Sequence, residues 1–149
     1  MDPLWDPTFW RAERRVDGRI GWTELFLSAS GRLARTPFLI GCAVLIAVAA
    51  IYEAWVGATL HWLTGWLIYP VLLYGGACVL SKRLHDRGRS GWWAALVLFA
   101  LVAIWPAPHG VGVFIFTLIL LWAGVELGVM HGEDGANRFG PSPLAAQAA

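Results

Sequence analysis

Charge is the property this sequence has least of. Charged side chains make up 14% of its 149 residues against 58% hydrophobic ones, and they are missing from two long stretches. Between residues 38 and 81 the only formally charged side chain is Glu53, and between residues 91 and 132 it is Glu126. Uncharged runs of that length exceed any soluble core helix and read as pairs of membrane spans. Cysteine is scarce too. Cys42 and Cys78 lie inside apolar segments, which argues against a disulfide or metal pair and for small packing residues. A net charge of +1 with no basic stripe argues against a nucleic-acid partner. The first 37 residues lack the charged start, apolar stretch and cleavage site of a signal peptide. The chain is therefore expected to insert through its own first span. No catalytic, cofactor or metal motif stands out, so neither a bound metal nor an enzymatic activity is expected.

What is present is apolar sequence in four blocks. The expected fold is all-α, a polytopic membrane bundle of four transmembrane helices over residues 38–55, 62–80, 92–105 and 111–130. The first block would give about 27 Å of helix at 1.5 Å per residue, close to a hydrocarbon core of about 30 Å. The third is the weak point, because Pro106 and Pro108 stop it after 14 residues, about 21 Å. A re-entrant segment is the alternative there.

The basic residues orient this frame. Arg11, Arg14, Arg15, Arg19, Arg32 and Arg35 precede the first block, Lys82, Arg83, Arg87 and Arg89 sit between the second and third, and Arg138 follows the fourth. Neither remaining hairpin, at 56–61 or 106–110, contains a lysine or arginine. Four crossings put all 11 basic residues on one side, which the positive-inside rule makes cytoplasmic. Both termini are then cytoplasmic. Three crossings would split the arginines between the two sides.

Tryptophan supports the same frame, since indole rings favour the headgroup level. Trp55, Trp62, Trp66 and Trp105 are expected as anchors at the outer surface, Trp22, Trp92 and Trp93 at the inner one. Residues 1–20 read as an N-terminal cytoplasmic extension, in which Asp6-Pro7 resembles a helix start. Residues 23–30 read as an interfacial amphipathic helix, with a partner-binding helix as the alternative. Residues 21–143 form the membrane domain and 144–149 a short tail.

Within the bundle, Ala43, Ala47, Ala50 and Ala54 form a stripe of small residues suited to close helix packing, and Gly75 and Gly76 a second approach point. Pro70 leaves the Trp66 carbonyl without its helical partner, which the Tyr69 or Tyr74 hydroxyl, or a water, could satisfy. Glu53 and Glu126 lie near opposite ends of their spans, so they do not make a midplane proton relay. Glu126 is close enough to the inner surface to pair with a basic residue of the central loop. His61 and His109 share the outer side with Glu53, but their spacing demands no metal.

The informative polar stretch is KRLHDRGRSGWW at residues 82–93. Arg83 and Arg87 lie one helical turn apart with Asp86 between them. Gly88 lets the chain leave the helix, and Ser90 is placed to cap the third span. Three ordered patterns stand out: Gly31, Arg32, Arg35 and Phe38; then Arg83-Leu84-His85-Asp86, Gly88 and Ser90-Gly91-Trp92-Trp93; then Gly135, Asn137, Phe139, Gly140 and Pro143. Together they resemble the bacterial domain of unknown function 805 family of small inner-membrane proteins. The resemblance spans residues 31–143 and implies a four-span inner-membrane protein. It implies no reaction.

All three patterns fall on the expected cytoplasmic face. Arg32, Arg35, Arg83, His85, Asp86, Arg87, Ser90, Glu126 and Asn137 are therefore candidates for one polar cluster. Such a cluster would serve as structural glue, as a site for anionic lipid headgroups, or as a docking surface. The leading functional expectation is a non-enzymatic scaffold or accessory subunit, partnered by the bilayer and by another membrane protein or a second copy. The alternatives are a small oligomeric transporter or channel, and an interfacial enzyme or binder acting on phosphate-bearing lipids.

Overall fold

The computed structural model describes residues 21–104 and 110–143. Arg11, Arg14, Arg15, Arg19, the Asp6-Pro7 start, Trp105, His109 and the tail 144–149 lie outside the described residues. Within them the chain is helical: α1 (Trp22–Leu27), α2 (Arg35–Trp55), α3 (Ala58–Asp86), α4 (Trp93–Ile104) and α5 (Gly112–Ala123), which widens into a π-helical turn at Gly124–Val129.

Three of these helices are long and apolar enough to cross a membrane: α2, α3, and α5 with its π turn. The 21 residues of α2 span about 31 Å, and Pro37 is tolerated because it falls in the first turn. The 29 residues of α3 run to Asp86, past the expected end at residue 80. They carry Lys82, Arg83 and Asp86 onto the helix itself. Termination follows at Gly88, at φ 66°, where Gly88 N–H donates to the His85 carbonyl and Arg89 N–H to that of Leu84. The 12 residues of α4 give only about 18 Å.

The solvent exposure is that of a bilayer protein. Only 11% of the apolar window of α2 is buried, and 17% of that of α5 with its π turn. Ile46, Ile51, Phe99, Val102, Phe114 and Leu121 are all exposed, a surface a water-soluble monomer would bury. Trp22, Trp55, Trp62, Trp66, Trp92 and Trp93 project outward, between 44% and 86% exposed.

Consecutive long helices pack as neighbours from α2 to α5, and the π turn returns against α2 and α3. Glycine permits the close approaches. A methyl at Gly41 would meet Val79, one at Gly75 would meet Leu45 and Phe26, and one at Gly76 would meet Leu98. The alanine stripe Ala43, Ala47, Ala50 and Ala54 is instead exposed. The contact stays on the Gly41 side because glycine lets backbones come closer than alanine does.

Helix α1 is shorter than expected and docks on α3, with Leu25 buried. Two of its unpaired carbonyls receive side-chain donors: Lys82 Nζ on Glu24, and Tyr74 OH on Leu27 at 3.1 Å. Tyr74 is thus engaged away from the Trp66 carbonyl. Tyr69 is too, since its hydroxyl donates to Glu53 and lies 2.9 Å from His61 Nε2. That triad, with Tyr52 and Thr64 bonded alongside at 2.9 Å, satisfies the Glu53 carboxylate within its span.

Candidate functional site

The buried core sits at the opposite end of the bundle from Glu53, around Leu33, Leu84 and Leu127, each 1% exposed or less. Into this apolar setting the last turn of α3 projects Arg83 and Asp86, on one face because they are three residues apart. Both side chains are nearly inaccessible, at 1% and 4%.

Asp86 holds two arginines. One carboxylate oxygen accepts from Arg83 Nη1 and the other from Arg32 Nε at 3.1 Å. The rest of each guanidinium reads backbone. Arg83 donates to Leu127 O at 2.9 Å and Met130 O at 2.5 Å, and so caps carbonyls that the π turn leaves open. Arg32 donates to Glu133 O at 2.5 Å and Gly135 O at 2.6 Å. Among the described residues no buried side-chain nitrogen or oxygen lacks a partner. That completeness is what makes buried charge tolerable.

A second carboxylate does the same nearby. Glu126 Oε1 accepts from Arg87 Nη2 at 3.1 Å and from Arg89 Nε at 3.1 Å, as the expected pairing with the central loop requires. Arg87 also donates to the His131 carbonyl, and the Arg89 guanidinium lies 5.6 Å from the Trp122 ring centroid.

Asn137 fastens the C-terminal segment. Its Nδ2 donates to His85 O at 2.9 Å and to Glu133 Oε2 at 2.8 Å, while its Oδ1 accepts from Phe139 N at 2.9 Å. Phe139 then stacks on the His85 ring at 3.8 Å. His85 Nδ1 lies 3.1 Å from Gly31 O.

Of the residues anticipated as one cluster, the structure joins Arg32, Arg83, His85, Asp86, Arg87, Glu126 and Asn137. Arg35 is exposed and, among the described residues, makes no hydrogen bond or ion pair. At Ser90 it is the backbone carbonyl that accepts, from Trp93 N at 3.3 Å. Arg89 and Lys82 lay outside the anticipated cluster. Arg89 carried a signal, as the one other arginine of its loop able to reach Glu126.

The segments of residues 31–38, 83–93 and 135–143 therefore meet in space. A family model described as "Protein of unknown function (DUF805)" matches residues 26–141, well over half of the chain. The chain belongs to this family. Among DUF805-type relatives, the uncharacterized protein YiiR of Escherichia coli (strain K12) is 36% identical over 126 residues, covering 78% of this chain and 86% of YiiR. The inner membrane protein YhaH of the same strain is 35% identical over 77 residues, about half of each chain. No solved structure matches.

In this DUF805 chain two glycines guard the network. A methyl at Gly132 would overlap the Asp86 carboxylate, and one at Gly88 would collide with that of Glu133. Gly132→Ala is expected to cost about 1–3 kcal/mol, read as a lowered midpoint in a detergent-solubilised thermal melt. Glu126→Gln keeps the shape but loses the charge assistance, for a smaller loss of about 1–2 kcal/mol in the same melt.

Proposed function

We propose that the protein is a non-enzymatic scaffold or accessory subunit of the bacterial inner membrane. In this reading it crosses four times, α4 included, with both termini and the arginine-rich end in the cytoplasm. The inner membrane is suggested by the name of the relative YhaH and by the apolar helices. The orientation is supported by the one-sided distribution of lysine and arginine, and α1 would lie at the inner headgroup level with Trp22.

One observation carries the functional reading. Asp86 and Glu126 each hold two arginines of the chain itself. The guanidinium groups that would otherwise clamp a phosphate are thereby committed to joining α3, the π turn and the C-terminal segment. What this end offers a partner is a rigid platform with Arg35, Asp134 and Arg138 exposed. Purification in mild detergent at native expression is expected to recover a second polypeptide in fixed stoichiometry. Reproducible recovery of the monomer alone contradicts the proposal.

A further inference from the structure

Beside the ion-pair network, and not part of it, a cleft of about 450 Å³ opens between α3 and α4, a volume within the usual range for a small-molecule site. One end is polar, formed by Ser81, His85 and Ser90. The other is apolar, formed by Ala77, Ala95 and Leu98, with Trp92 at the rim. Gly91 closes over the polar end, where any side chain would strike the Ser81 hydroxyl.

The chemistry of the polar end is fixed by its neighbours. The Gly31 carbonyl can only accept, so His85 Nδ1 carries the proton and donates to it across 3.1 Å. Nε2 of the neutral ring is then a lone pair aimed at the cleft, with Ser81 Oγ 3.5 Å away. At that distance the pair is loosely engaged, and Ser81 is only 9% exposed. It is a hydrogen-bonding pair. It offers one acceptor and one hydroxyl, which suits a ligand bearing hydroxyl groups. A cation stands close by. Arg138 lies over the Phe139 ring at 4.7 Å, and Phe139 stacks on His85. Arg138 makes no ion pair among the described residues.

We infer that this cleft is a binding site for an anionic phospholipid with a hydroxylated headgroup, of the phosphatidylglycerol type. Trp92, 84% exposed, marks the headgroup level in the bilayer placement proposed above, on which the inference rests. The acyl chain follows the small side chains Ala77 and Ala95 towards Leu98. The headgroup hydroxyls meet His85 Nε2 and Ser81, and the phosphate faces Arg138.

Native mass spectrometry of the full-length protein, incubated in detergent with dioleoyl phosphatidylglycerol or dioleoyl phosphatidylcholine, tests this. One phosphatidylglycerol is expected to stay bound under conditions that strip phosphatidylcholine. Ala95→Trp, at an exposed position that fills the apolar end, should reduce retention at least about tenfold, and Ser81→Ala should narrow the preference between the two lipids. Equal retention of both lipids, or retention of phosphatidylglycerol unchanged by Ala95→Trp, overturns the inference. Cysteine labelling of the crossings in spheroplasts separates failure of the site from failure of the membrane placement.

Discussion

Asp86→Ala should leave little folded protein. The carboxylate is 4% exposed and holds Arg32 and Arg83, each 1% exposed. Its removal leaves two cations without a counter-charge in an apolar end of the bundle. Breaking a single buried pair from one side costs about 3–5 kcal/mol, a large share of the stability of an ordinary domain. The expected readout is a loss of monodisperse protein in detergent, with any residual fraction melting well below wild type. The sign of the effect is checked by a second change. Adding Arg32→Met to Asp86→Ala removes one orphaned cation and should restore part of the loss. If Asp86→Ala melts with wild type, the pairings described around it do not hold the fold.

Arg83→Lys should be nearly as damaging, although it keeps the charge. The guanidinium reaches Asp86, Leu127 O and Met130 O at once, and a single ammonium on a flexible stem cannot. Each lost hydrogen bond to a charged donor is worth about 1.5–3 kcal/mol, so a loss of at least about 3 kcal/mol is expected. The carbonyls released are those of the π turn, which ties the C-terminal segment to α3. Limited proteolysis should therefore cut Arg83→Lys beyond residue 130 faster than wild type, at equal detergent and temperature. Wild-type cleavage and melting for this variant would reduce Arg83 to a topology signal.

The sequence exposed much of this plan because charge is so rare in it. With Glu126 as the one charged residue of its stretch, a basic residue of the loop at 82–93 stood out as a partner, and Arg87 and Arg89 fill that place. The glycine exit at Gly88 and the outward tryptophans were legible for the same reason: each has one physical role that no neighbouring residue type performs. Other features left no such mark. The π turn at Gly124–Val129 has no compositional signature, although the carbonyls of Leu127, Met130 and His131 at and beyond it accept from Arg83 and Arg87. The alanine stripe had the right spacing and the wrong face, since spacing does not say which of two small-residue faces meets the neighbour. Arg35 was grouped with Arg32 by position, yet α2 begins at Arg35 and turns it outward. Whether the 12 residues of α4 cross a bilayer depends on how far the membrane thins around them.

That last point decides the whole arrangement, because a short helix that turned back would put the C-terminal segment with Arg138 on the opposite side from Arg32, Arg83 and Arg87. In a background with Cys42 and Cys78 replaced by alanine, single cysteines at Thr59, Val111 and Ala136, all exposed, can be challenged with a membrane-impermeant maleimide on spheroplasts. Four crossings predict labelling of Thr59→Cys and Val111→Cys from outside, and of Ala136→Cys only after the membrane is opened. Labelling of Val111→Cys only after opening, together with Ala136→Cys from outside, would contradict the account.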